Sequence, residues 1–586
     1  DYDSGIVGYG EADFDTPLAS MAAFADASYP RDENGDIPAD YAESAEADTS
    51  IYSASQIKDI SSDADFTAAL RDSTIVVFNI VADFAVTEST GTENIVYSNA
   101  SGNPGGTRKI IIEGNDHTVD FRGRAYRPNT GGPFDITIQN LSLYSRHYYG
   151  FISTTSLSSA YQNQSRIVYH DVTTLGSQLL RADNTPVEFS GTVSTTLVES
   201  YTSPFGGSFT TQSFSNQQNL EVNNAVVHAG TKLTLVAGNV GSTDIKSGGT
   251  LELHPNAKVY IDNTATVNNA TGELAETLLI SGNLDMEEQS ELSVVTGPAR
   301  SRSAIRISGN GSSLLVGRKA KLDVKATNNT AGDGTNYNVI RLGSNATLAV
   351  EEEGIFNVSS TQTGTGTGSV IYADNTATFT VAKKGSFSVE ADGTGSKSLI
   401  RMGTGAKFIF SDAQSVDMKF IGTPNNASSL IDMSGSAGRF DVDVQRVQQW
   451  NRGNESDTPD KDWSPMFGMK LPYSSRVINN SNIIARSTTA SIRSDFINYF
   501  NTGVTKTVSG TSVPGAQRVR FEYIPDVTVS IDSISNDLAA DVGSNTVYGV
   551  TNPDAYVRIT YTPPNGGQPI TIDHTVSSPV EANEGE

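Results

Sequence analysis

Within EGNDHTVDFRGR (113–124), Glu113, Asp116 and Asp120 precede Arg122 and Arg124. Carboxylates grouped this way could hold Ca²⁺ against a uronate while a neighbouring arginine abstracts the sugar proton, the chemistry of a polysaccharide lyase. The same stretch is a turn former. Gly-Asn-Asp-His falls between two apolar runs, so Asp116 stands where a turn residue belongs, and this structural reading outweighs the catalytic one. No catalytic residue is assigned, no cofactor is implied, and Ca²⁺ is the one ion that this acidic group could hold. The six histidines, His117, His147, His170, His228, His254 and His574, show no His-Glu-x-x-His or related spacing. Cysteine is absent, which removes disulfides, thiolate metal sites and thiol nucleophiles together.

Two other groups point to binding rather than turnover. RSRSAIRISGNGSSLLVGRKAKLDVK (300–325) carries Arg300, Arg302, Arg306, Arg318, Lys319, Lys321 and Lys325 against Asp323 alone. In a chain with a net charge of −26 such a patch can steer and hold an anionic glycan, or it can balance Glu287, Glu288 and Glu351 to Glu353 on neighbouring segments. SLYSRHYYGF (142–151) offers Tyr144, Tyr148 and Tyr149 as stacking faces for sugars with Arg146 and His147 as donors, and equally as core aromatics. The acidic balance argues against nucleic acid or an anionic membrane as partner. The longest apolar run, IVVFNIVADFAV (75–86), is too short and too interrupted to span a bilayer.

The elements that must carry these residues follow from a repeat. The pattern apolar-x-apolar, five spacers, apolar-x-apolar begins at Leu251, Leu284, Leu314, Leu348, Phe379 and Phe408, in steps of 33, 30, 34, 31 and 29 residues. Period-two alternation in each half predicts two short strands with one buried face, the spacers forming the bend. A third strand precedes them, since Ile340, Ile371 and Ile400 each lie eight residues before Leu348, Phe379 and Phe408. Three strands per coil of about 30 residues, with no helical period between, predict an all-β, right-handed parallel β-helix whose apolar residues stack in ladders. A string of small sandwiches would need about 100 residues per unit. In TLAVEEEGIFNV (347–358) and TFTVAKKGSFSV (378–389) the ladder residues match while Glu351 to Glu353 give way to Ala382 to Lys384. The reversal puts opposite charges one rung apart, outside the core.

Four regions result. Residues 1–50 are acidic, a flexible lead or a surface-draped segment; 51–440 are the solenoid; 441–525, with Trp450 and Trp463, cap its C-terminal end; and 526–586 form a small β module, complete or truncated. Phe66, Ala69 and Leu70 at helical spacing behind Ser62 or Asp63 predict a capping helix over 62–73.

This order of a helix, RKIIIEGNDHTVDF and ITIQNLSLYSRHYYG, regular coils and then a stalk-like module resembles the pectate-lyase-like adhesive domain of cell-wall-anchored adhesins from lactobacilli, enterococci and relatives. It also resembles, less closely, the binding regions of serine-rich repeat adhesins. VYGVTNPDAYVRITY (547–561) is similar to the core of bacterial immunoglobulin-like stalk repeats. The resemblance implies an extracellular, wall-anchored, monomeric adhesin that binds host epithelial or mucus glycans or glycoproteins without cleaving them. No Leu-Pro-x-Thr-Gly motif and no leader occurs in the chain. A lyase on the same fold and a structural spacer are the alternatives.

Overall fold

The computed structural model describes residues 29–87, 95–97, 106–128, 132–237, 241–264, 276–297, 303–327, 338–361, 369–392, 398–424, 429–433, 437–466, 468–472, 484–485, 487, 489–500, 505–508, 511–524, 530–534, 547–550, 556–561 and 570–575. The chain divides into two compact units, 1–523 and 524–586.

The first unit is built from strands that return to the same position about every 30 residues and pair in parallel with their predecessors. One face carries Leu278–Ile280, Ile305–Ile307, Ile340–Leu342, Ile371–Ala373 and Ile400–Met402. A second carries Asn283–Met286, Ser313–Val316, Thr347–Val350, Thr378–Val381 and Lys407–Ser411. A third carries Glu291–Thr296, Lys321–Ala326, Ile355–Ser360, Ser386–Asp392 and Ser415–Ile421. The product is a β-solenoid, and the register is the one the repeat requires: Leu348 pairs with Phe379 and Phe379 with Phe408, while Phe356 pairs with Phe387. Inward side chains are almost wholly removed from water along this length, so a slip of one residue would turn every ladder inside out. Rings continue the ladder towards the end of the solenoid, Phe379 to Phe408 at 5.1 Å, Phe408 to Phe440 at 6.2 Å and Phe440 to Phe521 at 6.0 Å.

The predicted helix is present at Asp63–Arg71, with Ser62 accepting a hydrogen bond from the Asp65 amide. Its Phe66 packs edge-on against Phe78 and Phe121. Buried Arg108 donates to the carbonyls of Ala69, Asp72, Ser73 and Ile75, supplying partners that the end of a helix lacks. Beyond residue 440 the pairing turns antiparallel: Met469–Pro472 runs against Arg439–Asp443, and Ala516–Glu522 against both Ser415–Ile421 and Arg446–Asn451. Trp463 lies against Phe496 of the helix Ala490–Tyr499 and donates to Asp495 at 2.7 Å. Trp450 is buried under the Arg518 guanidinium, 4.4 Å from its ring centre.

Residues 29–50 are draped along the solenoid. They follow the bends between the second and third faces from residues 287–319 to residue 139. Tyr29 donates to Glu287, Arg31 and Asp36 meet Glu288 and Arg318, Pro38 and Tyr41 accept from Asn256, Ala45 donates to Ser190, and Ala47 pairs with Gln139. This strap reads a column of bend residues that the repeat stacks one above another.

In the second unit, Ser530–Ile534 pairs antiparallel with Val547–Val550 and Tyr556–Tyr561 with Ile570–Thr575. These are β-pairs; among the described residues no pairing joins them into an immunoglobulin-like sandwich. No helix among the described residues is long and apolar enough to cross a membrane.

Candidate functional site

Apart from Asp116, the acids and arginines of the lyase-like stretch have partners in the fold, Arg122 and Asp120 lying 4.0 Å from one another. Glu113, buried, accepts from the Asn115 amide and from Gln139 and Asn140. Asp120, also buried, accepts from the Tyr201 hydroxyl at 2.9 Å and from the Arg122 amide. Asp116 occupies the turn with a left-handed backbone, φ 62°. The Arg122 guanidinium lies over the Phe209 ring, and Arg124 pairs with Asp63 at 3.4 Å.

The basic stretch is spread over several partners. Arg318 pairs with Glu288 and with Asp36 of the strap, and Lys319 reaches Asp36 and Glu353. The hydrogen bond from Lys319 holds the Asp36 carboxyl below its usual range. Arg306 meets buried Glu276 at 3.5 Å, and Lys321 pairs with Asp323 at 2.9 Å. Arg300 and Arg302 lie outside the described residues. The reversed charges of the repeat do meet, Lys384 lying 3.7 Å from Glu353.

Around SLYSRHYYGF the side chains separate. Tyr144 packs on Tyr201, and Arg146 donates to the Thr210 carbonyl. Tyr149 is flanked by Arg127 and Arg181, 4.7 and 5.5 Å from its ring centre, with Tyr148 edge-on at 4.6 Å. Tyr148 and Tyr149 are partly exposed. His147, between them and the core, is wholly buried, and burial, helped by Arg127, pushes it down to about 4.

Two pockets bear on recognition. One, of about 390 Å³, lies between the strap and the second face; Glu252, Asp285, Glu287, Glu288 and Glu351 line it with Arg31 and Arg318, an excess of carboxylates that disfavours an anionic ligand. The other, of about 490 Å³, follows the outside of the third face across five coils. Strand alternation builds it. Ser293, Asp323, Asn357, Ser388 and Asp417 are successive partners in one outward row, and Val295, Lys325, Ser359, Glu390 and Lys419 in the next. Asn357 donates to Asp323 at 2.9 Å and accepts from Ser388 at 2.7 Å. The groove's carboxylates face cations: Lys321 on Asp323, Lys419 on Glu390 and Arg518 on Asp417. A lattice of hydroxyls, amides and paired charges along one side can read the hydroxyl pattern of an extended saccharide. Of the sequence-identified cations only Lys325 lines it. Its signal in the sequence is the small polar residue alternating with each apolar one in the third strand of the repeat.

Residues 57–181 match the family described as "Putative pectate lyase-like adhesive domain", in agreement with the resemblance drawn from the sequence. Among solved structures, the SRRP of L. reuteri 53608 aligns at 18% identity and a TM-score of 0.28, over 60% of this chain and 99% of its own. The SRRP of L. reuteri 100-23 aligns at 15% identity and a TM-score of 0.29, over 65% and 94%. No curated protein matches the chain.

Proposed function

We propose that the protein is a bacterial surface adhesin that binds host epithelial or mucus glycans or glycoproteins through the lateral groove of the third face, without cleaving them. The adhesive-domain match at residues 57–181 supports the adhesive role. The observation that carries the ligand class is the pair of outward rows centred on Asn357 and Ser359, five coils long and polar in nearly every position. A groove of that length suits a chain-like ligand, and its mixed charge suits neutral or weakly acidic sugars. The lyase chemistry considered above would need grouped carboxylates open to Ca²⁺ beside an arginine base; the groove's carboxylates are instead held in ion pairs. Tyr148 and Tyr149, with Arg127 and Arg181, form a second stacking surface at the other end of the solenoid. Anchoring to the cell wall and action as a monomer belong to the same proposal.

The test is retention of the purified chain on a glycan array, on mucin and on epithelial cell layers, with absorbance of unsaturated uronate products followed in parallel on pectin and hyaluronan. Saturable retention without product formation is expected. Steady product formation would establish the lyase alternative, and no retention on any surface would leave a spacer.

A further inference from the structure

The strap crosses a cluster of side chains that the proposed adhesion does not use. His228 and His254 each follow the last residue of a second-face strand, and because Val227 pairs with Leu253 the two imidazoles stand one rung apart. Their rings are nearly perpendicular with centroids 5.5 Å apart. Both turn Nδ1 towards one atom, Glu43 Oε2 of the strap, at 3.1 Å from His228 and 2.8 Å from His254. The Ala229 amide also donates to Glu43 Oε2 at 3.1 Å. The far nitrogens meet carboxylates too: Nε2 of His228 lies 2.7 Å from Glu188 and Nε2 of His254 lies 3.7 Å from Glu252. All three side chains are partly buried, and the three inward atoms lie within 4.8 Å of one another.

Two imidazoles and a carboxylate directed at one point, each imidazole backed by a second carboxylate, form the donor set and outer shell of a transition-metal centre. Bonds of about 2.0–2.1 Å around a tetrahedral ion hold ligand atoms about 3.3 Å apart, close to the 3.1 and 2.8 Å from the two imidazole nitrogens to Glu43. We propose that Glu43, His228 and His254 form a site for one divalent cation of the zinc class, which fastens the N-terminal strap across two successive coils. Imidazole nitrogen favours Zn²⁺ over the hard ions that oxygen ligands select, so Ca²⁺ is not the ion expected here. Ligands from the strap and from two coils make the site a clip: it is complete only when residues 38–47 lie in their place. Glu188 and Glu252 orient the rings and are positioning residues.

The experiment uses the untagged chain, stripped with chelator and dialysed against Zn²⁺ or Ca²⁺, with bound metal measured per chain and Zn²⁺ affinity by calorimetry. One Zn²⁺ per chain is expected, with slower proteolysis inside residues 29–50 that reverts on adding chelator. Glu43→Gln and His254→Asn, checked for native circular dichroism, should each weaken Zn²⁺ binding by 100-fold or more, and Glu188→Gln by about 10–100-fold. His228→Asn provides a second ligand variant should His254→Asn fail to fold. Absence of stoichiometric Zn²⁺, Zn²⁺ binding unaltered in the ligand variants, or Ca²⁺ bound in preference to Zn²⁺ would each overturn the proposal.

Discussion

Gln289 and Ile37, 252 positions apart in the chain, exchange two hydrogen bonds: the Ile37 amide donates to Oε1 at 2.9 Å and Nε2 donates to the Ile37 carbonyl at 2.8 Å. Gln139 makes the same double bond with Ala47 at the other end of the strap. A side-chain amide thus replaces a neighbouring strand at both ends of a segment that has no strand partner of its own. Gln289→Ala should lose about 1–2 kcal/mol of local stability, two neutral hydrogen bonds' worth. Limited proteolysis should then cut within residues 29–50 several-fold faster, while the solenoid melts at nearly the same temperature. Equal cutting rates would show that the strap is held by other contacts.

Arg108 joins the helix Asp63–Arg71 to the first coils through four backbone carbonyls. Arg108→Met keeps much of the volume and removes every donor. The Ala69 and Asp72 carbonyls keep the Asp72 and Ile75 amides as donors, so the loss falls mainly on the Ser73 and Ile75 carbonyls and should cost about 1–3 kcal/mol, read as a lowered denaturant midpoint. An unchanged midpoint would mean that water replaces the guanidinium without penalty.

His147 gives a pH dependence whose sign is fixed by its burial. Its value falls from 6.5 in the unfolded chain to about 4 in the fold. The neutral form is thus the folded form: its contribution is fully present above pH 6.5 and is lost as pH falls towards 4, when the unfolded chain takes the proton first. The span corresponds to about 3 kcal/mol. Unfolding free energies of the wild type and His147→Gln, measured from pH 7 to pH 4, should converge as pH falls by roughly this amount. Parallel curves would contradict it.

The solenoid was legible because its determinants are local and repeated. The interior positions recur in the sequence, and a ladder such as Leu348, Phe379 and Phe408 needs only the period to be aligned. The sites were less so. Arg318 and Lys319 look like an anionic-ligand patch until Asp36, 282 and 283 residues away, is seen between them; nothing local announces that pairing. The groove residues Asn357, Ser359 and Ser388 carry no unusual chemistry singly and acquire meaning only when the coils stack them. His228 and His254 did leave a signal. Each follows a second-face strand, so the repeat itself places them in one column, although their spacing fits no metal motif confined to a single element.

The most direct measurement is binding of the wild type and of two groove-filling variants, Ser359→Trp and Ser388→Trp, to the glycan or mucin surface that retains the protein. Both serines point outward from their strands and are only partly buried, so tryptophan leaves the ladder beneath intact. The account predicts at least a tenfold loss of affinity in both, with unchanged melting temperature and with full binding kept by charge reversal at Arg318 and Lys319. Full binding by both tryptophan variants would contradict the third-face groove as the adhesive surface.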